Sequence, residues 1–399
     1  MKKFMLASAA IAMVSAGAAF AGSDAKEVKL GIIFGFTGPI ESLTPPMADG
    51  AELAMKEVTE SGLLLGGAKV TPVRADSTCI DSGAATAAAE RLVTSDKVNG
   101  IVGADCSGVT GAILQNVARA NGVVMISPSA TSPALSTAED DGLFFRTSPS
   151  DARQGQVMTD VLMEQGIKSV AVTYTNNDYG KGLADAFQAA FEAAGGKVTI
   201  NAAHEDGKAD YSAEVGALAA AGGERLVVAG YVDQGGSGIV RAAIDSGAFD
   251  SFHFPDGMIG TKLEENFGTE INGSTGQVPG TDSPGAAMIK EMGAANGFDG
   301  TSPFVPESYD AAALILLAMQ AAGSADSADY KSKIMDVANA PGEKIFPGEL
   351  AKALKILAAG GDVDYVGGSA VELIGPGESA GNYRQIVIKN GKITTVKYR

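Results

Sequence analysis

Three short segments between Asp76 and Pro133 carry the residues best suited to gripping a small polar molecule: DSTCID at Asp76–Asp81, GADCSGVTG at Gly103–Gly111 and MISPSATSP at Met125–Pro133. Each stands where a strand hands over to a helix or loop. The second and third are rich in small hydroxyl residues (Ser107, Thr110, Ser127, Ser129, Thr131, Ser132) interleaved with Gly and Ala. Such a surface brings amides and hydroxyls close to a carboxylate without bulky side chains in the way. Ser107 and Gly108 precede a helix expected to start near Val109, so the free amides of its first turn point at whatever Ser107 touches. The alternative is a plain helix N-cap, and capping and ligand contact can coexist. Ser129, Ala130 and Thr131 follow the next strand and open on the same crevice; their alternative is an ordinary Pro-flanked turn.

The second half of the chain offers the complement. Tyr179 follows Asn177-Asp178, with Asp178 the expected N-cap, and Tyr231 follows Gly230. Each phenol can both pack on and hydrogen-bond a ligand, or be a merely half-buried tyrosine. Asp256, in Pro255-Asp256-Gly257, suits an ammonium or is an Asp in a tight turn. Hydroxyls and amides on one side and a carboxylate on the other define a clamp for a zwitterion, whose closure would strengthen each charge-assisted bond by excluding water.

The elements that must position these residues read as alternating strands and helices. Strands are expected at Val28–Phe34, Lys69–Ala75, Gly100–Val102 and Val123–Ser127, with helices at Ala48–Ser61, Ala84–Thr94 and Val109–Ala120. In Ala48–Ser61 the apolar Ala51, Ala54, Met55 and Val58 fall at helical spacing while Asp49, Glu52, Lys56 and Glu57 face out. The order implies a parallel sheet covered on both faces. The pattern restarts after Phe144–Pro149, with helices near Gln154–Gln165, Tyr179–Ala194, Tyr211–Ala221 and Gly235–Ser246 and strands at Ser169–Tyr174, Lys197–Ala202, Arg225–Ala229 and Phe252–Phe254. Helices near Ala286–Ala295, Tyr309–Ala322, Asp326–Asn339 and Gly348–Ala359 follow, and Asn390-Gly391 marks a closing hairpin, Arg384–Lys389 with Lys392–Lys397. Gln277–Gly285 and Gly360–Gly368 are the expected recrossings between two α/β lobes.

Enzymatic readings find little support. Gly377-Glu378-Ser379-Ala380-Gly381 matches the nucleophile-elbow pattern, yet a hairpin follows it and both histidines, His204 and His253, lie upstream. Gly235-Gly236-Ser237-Gly238 lacks the spacing of a dinucleotide loop, and no GxxxxGK[ST] is present. His204 beside Glu205 and Asp206 has no second nitrogen or sulfur ligand nearby in sequence and reads as a solvated loop rather than a metal site. No catalytic residue, metal or cofactor is expected. A secreted serine hydrolase using Ser379 is the alternative of a different class.

Residues 1–21 show a positive start at Lys2 and Lys3, an apolar run, and small residues at Ala19 and Ala21, the parts of a cleavable secretory signal. Export to the periplasm is the expectation. There, Cys79 and Cys106, 27 positions apart, read first as a disulfide contributing on the order of 3 kcal/mol, two buried thiols being the alternative. The net charge of −17, or −19 once Lys2 and Lys3 depart, argues against nucleic acid and anionic lipid as partners. About 378 remaining residues exceed a single core, so two lobes are expected.

Together, Gly35-Phe36-Thr37-Gly38-Pro39, the two-cysteine segments, ISPSATSP, FRTSPSDARQG at Phe145–Gly155, NDYGKG at Asn177–Gly182 and SYDAA at Ser308–Ala312 resemble the branched-chain amino-acid binding proteins that serve bacterial ABC transporters. The resemblance covers nearly the whole mature chain. It implies a type I periplasmic binding fold, two Rossmann-like lobes with parallel sheets joined by three crossovers, closing on an α-amino acid. The implied division is 22–148 plus 281–360 for one lobe and 149–280 plus 361–399 for the other. It would place the ligand carboxylate against Ser107 and Thr131, with Ala130 lining the path, and the ammonium near Asp256 and Tyr231, with Tyr179 nearby. The implied protein is a monomeric receptor delivering a small aliphatic amino acid to an inner-membrane permease; a same-fold receptor for an amide, urea or other small nitrogen compound is the alternative. Two departures stand out. The family's ammonium-binding acid is commonly Glu, and Asp256 is shorter by one methylene, roughly 1.5 Å of reach. Where relatives often carry an aromatic after Gly-Pro, this chain has Leu43.

Overall fold

The computed structural model describes residues 27–399; the leader expected at 1–21 lies outside the described residues. The first sheet begins with β1 (Glu27–Phe34), β2 (Lys69–Asp76), β3 (Gly100–Gly103), β4 (Met125–Ser127) and β5 (Phe144–Pro149). Their spatial order is β2-β1-β3-β4-β5, all parallel. The second sheet repeats the plan with β6 (Ser169–Thr175), β7 (Lys197–His204), β8 (Arg225–Ala229), β9 (Phe252–Phe254) and β10 (Thr275–Pro279) in the order β7-β6-β8-β9-β10. The strands are apolar runs because both faces are covered: β3 and β4 are buried along their whole length, as parallel sheets require.

A small parallel pair, β11 (Glu343–Ile345) and β12 (Val363–Tyr365), stands apart. β13 (Leu373–Ile374) and β14 (Glu378–Ser379) then extend the first sheet beside β5, and the hairpin β15 (Tyr383–Lys389) with β16 (Lys392–Tyr398) closes the second beside β10. This corrects one expectation. Leu373–Ser379 belongs to the first sheet, so the third crossing runs through Ala380–Asn382 rather than Gly360–Gly368. The crossing strand is too short for its residues to announce it, and Gly377 and Gly381, both at positive φ, bend the chain on either side.

The helix Val305–Ala322 is apolar almost all round and buried from Val305 to Met319 apart from Pro306, which makes it a core element of the first lobe. It packs against Thr44–Ser61, a helix that starts four residues earlier than expected because Pro45 and Pro46 fit its first turn, where a missing N–H costs nothing. Asp326–Asn339 forms two short helices, Ser327–Tyr330 and Lys333–Ala338, instead of one. Among the described residues no helix is long and apolar enough to cross a membrane.

Candidate functional site

Each site residue inferred from sequence leaves the carboxyl end of a strand. Ser107 follows β3, Ser129, Ala130 and Thr131 follow β4, Tyr179 follows β6, Tyr231 follows β8 and Asp256 follows β9. In both sheets the strand order reverses beside the first strand, which is where doubly wound sheets open a crevice. The two crevices face each other across one pocket of about 350 Å³, lined by Ser107, Ser129, Tyr179, Tyr231 and Asp256 together with Asp105, Cys106 and Gly257. Its apolar wall is Ile40, Leu43, Met47 and Phe304, and Asp105 is a polar member of the wall that the sequence did not single out. Ala130 and Thr131, also inferred as site residues, are fully buried beside the pocket rather than in its wall.

The lobes are closed over it. Ser42 N donates to Asp233 Oδ2 at 2.8 Å and Asp233 N to the Pro39 carbonyl at 3.1 Å, both across the cleft. Leu43 reaches across to Gly260, where a Cβ would come within 2.7 Å of Leu43 Cδ2. A side chain larger than hydrogen at 260 would require the end of Leu43 to shift.

On the first lobe, Ser107 is the first helical residue and Cys106 the cap, so Ser107 is not the N-cap. Its Oγ accepts from Ser132 N at 3.1 Å, which ties the two loops together and leaves the hydroxyl proton free to donate. Ser127 Oγ accepts from Ala130 N at 2.9 Å, and Ser129 Oγ donates to the Asp105 carbonyl at 3.0 Å. Cys79 and Cys106 form a disulfide that joins the first and second of the three segments. Asp105, buried at the end of β3, accepts from Gly35 N at 2.6 Å and Ser77 Oγ at 2.9 Å. Burial raises its pKa, while these bonds pull it back.

The Ser129–Ser132 loop is held from beneath by a residue that sequence reading missed. Arg146 on β5 donates Nη1 to the carbonyls of Ala130 and Ser132, both at 2.9 Å, Nη2 to Ser136 Oγ at 2.7 Å and to Glu378 Oε2 at 2.5 Å, and Nε to the same oxygen at 3.2 Å. All five guanidinium protons are committed. Glu378 lies in the G-x-S-x-G stretch, which is thus a structural strand of the third crossing.

On the second lobe, Asn177 rather than Asp178 caps the helix Asp178–Ala193, its Oδ1 accepting from Gly180 N at 3.0 Å. Tyr179 opens that helix and stacks on Tyr231 with ring centroids 5.2 Å apart. Tyr179 Oη donates to Asp256 Oδ1 at 2.6 Å, and Gly257 N donates to the same oxygen at 2.8 Å. Asp256 Oδ2 makes no hydrogen bond of ordinary geometry although the residue is only 1% exposed, and the buried, equally unpartnered Gln154 amide lies beside the carboxylate. Burial raises the Asp256 pKa against the pull of these bonds, and burial beside the acid pushes the Tyr179 phenol well up. The result is a preformed acceptor with one oxygen fixed and one unsatisfied. His204 is the end of β7, 2% exposed and bonded to Thr173 Oγ1 at 2.8 Å, not in a solvated loop. Burial lowers its pKa to about 4 and that of His253 to about 3, so both are neutral at pH 7. Among the described residues no group of three or more His, Cys, Asp or Glu is placed to share a metal.

Besides Arg146, sequence reading missed Ile40, Met47, Phe304 and Asp151. The first three look like ordinary core residues in sequence. Asp151 sits in the FRTSPSDARQG stretch, and only its place beside Thr131 marks it: Asp151 N donates to the Thr131 carbonyl at 2.8 Å.

Comparison with known proteins matches residues 27–349 to the family model described as periplasmic binding protein. A Leu/Ile/Val-binding protein homolog from Brucella melitensis biotype 1 is 32% identical over 324 residues, 79% of this chain and 85% of the relative. A leucine-, isoleucine-, valine-, threonine- and alanine-binding protein from Pseudomonas aeruginosa is 30% identical over 319 residues, 79% of this chain and 84% of its own. The crystal structure of a leucine binding protein from Thermotoga maritima superposes with a TM-score of 0.78 at 23% identity, covering 93% of this chain and 98% of the other.

Proposed function

We propose the ligand, and the way it is held, for a chain that belongs to the periplasmic binding protein family, the solute-binding receptors of ABC transporters and not enzymes. The ligand is a small aliphatic amino acid of the branched-chain kind for which the Brucella and Pseudomonas relatives are named. One observation carries the reading: the pocket sets Ile40, Leu43, Met47 and Phe304 as an apolar wall beside hydroxyls from one lobe and a half-satisfied carboxylate from the other. The Ser107 hydroxyl and the Thr131 region receive the ligand carboxylate. Asp256 Oδ2 receives the ammonium, with Tyr179 and Tyr231 packed against it. The aliphatic side chain covers the apolar wall, with Leu43 in place of a ring.

The receptor works as a monomer in the periplasm after loss of its leader, and the closed lobes are the form offered to an inner-membrane permease. Only the closed form unites the hydroxyl face and the acid, so it is the form a zwitterion stabilises. Calorimetric titration with Leu, Ile, Val, Ala, Thr and Glu tests the ligand class. Binding of at least one of the first three is expected, with a melting temperature raised by a few degrees when ligand stands at about 100 times its dissociation constant. Heat with small amides or urea and none with amino acids would overturn the reading.

A further inference from the structure

Asp151 opens the helix Asp151–Glu164 just after the first crossing and is 0% exposed, yet neither carboxylate oxygen has a hydrogen-bond partner. Its own N–H is bonded to Thr131, whose Oγ1 is likewise buried and unpartnered. The groups facing Asp151 are Thr131 from the loop after β4, Arg146 from β5, Asp256 from the turn after β9, Tyr179 from the helix after β6 and Tyr383 from β15. The one cation among them, Arg146, has every proton committed to Glu378, Ser136 and two carbonyls. Two buried acids thus share a region whose facing cation is committed elsewhere; a second guanidinium, Arg153, acts on Tyr383 and not on either acid. Ionising both there is costly, because burial and like charge act in the same direction.

We propose that Asp151 is a positioning residue of the ammonium subsite, a second acid behind Thr131 and Asp256 that makes the receptor discriminate for ligands with a cationic head. In the empty protein one of the two carboxyls carries a proton. An entering ammonium supplies the missing positive charge, both acids ionise, and the carboxyl O–H proton leaves to solvent while the ligand keeps its own. Burial, with the Asp256 charge behind it, raises the Asp151 pKa well above its usual value, which agrees with this balance. The proposal rests on the amino-acid reading for its probe but not for its charge argument.

Ligand-free melting curves test the charge alone. An acid whose folded pKa is raised costs no stability below its unfolded pKa, near 3.9, and costs progressively more as pH rises above it. Asp151→Asn is therefore expected to gain melting temperature relative to wild type as pH rises from about 4 into the neutral range. A difference that stays flat over that range overturns the acid pair. Titration calorimetry of wild-type protein in two buffers of different protonation enthalpy tests the linkage without any variant, so the test stands even if Asp151→Asn does not fold. L-leucine is expected to release part of a proton, whereas its ammonium-free isostere, isocaproate, releases none. In Asp151→Asn the released fraction falls and the preference for leucine over isocaproate drops by about tenfold or more. Leucine binding in wild type with no proton exchange at any pH overturns the proposal. Failure of leucine to bind at all counts against the amino-acid reading, and the acid pair then stands or falls on the melting curves.

Discussion

Asp105 and Asp256 are both nearly inaccessible carboxylates in the wall of one pocket, and they are bonded in opposite ways. Asp105, on the first lobe, has both oxygens bonded inside its own lobe, to Gly35 N and Ser77 Oγ. Asp256, on the second, has both of its bonds on Oδ1 and none on Oδ2. A buried acceptor with every partner in place is part of the scaffold, and one with a lone pair held in reserve is waiting for something that arrives. Burial raises the pKa of both, so the shift alone does not tell them apart; the sharing of the hydrogen bonds between the two oxygens does.

The largest expected break in this comparison is Asp256→Ala. Removing one partner of a buried charge pair costs about 2–5 kcal/mol, so calorimetry is expected to show amino-acid affinity falling by roughly thirtyfold to several thousandfold. An affinity within about threefold of wild type would place the ammonium elsewhere. Asp105→Ala is expected to act through the scaffold instead. It orphans Gly35 N and Ser77 Oγ, at about 1–3 kcal/mol for each buried group, so denaturant unfolding registers a loss of stability. Full stability in that variant would mean the two donors find other partners.

Tyr179→Phe sharpens the contrast on a finer scale. It takes one donor from Asp256 Oδ1, and a hydrogen bond to a charged group is worth about 1.5–3 kcal/mol, so a loss of at least tenfold in affinity is expected with stacking on Tyr231 retained. Unchanged affinity would reduce the tyrosine to packing. Ser379→Ala is expected to leave binding unaltered, because Ser379 sits on β14 beside β5 and not in the pocket wall. A change of more than about twofold in dissociation constant would show that the third crossing controls closure.

The hydroxyl face was legible because it is local. Ser107, Ser129 and Thr131 are recognisable from the Gly, Ala and hydroxyl residues around them and from the strand that precedes each. The second face was legible only through single residues after strands, Tyr179, Tyr231 and Asp256, and the bond between Tyr179 and Asp256 joins positions 77 apart. Arg146 escaped notice because its partner Glu378 is 232 residues away, in a stretch that imitates a hydrolase motif. Ile40, Met47 and Phe304 escaped because an apolar residue lining a pocket has the same type and spacing as one in a core; what differs is whether a neighbour covers it.

Sequence alone determined the repeated strand and helix order, the turn chemistry at strand ends and the small-residue loop beside the pocket. These depend on side-chain periodicity and on conformational preferences expressed over a few residues. Tertiary structure alone decided which lobe receives Leu373–Ser379, that Arg146 supports the Ser129–Ser132 loop, and that Asp151 comes to lie near Asp256. Those outcomes depend on charges and sheet edges brought together from distant parts of the chain, where burial removes water as the competing partner and makes each unmatched group costly.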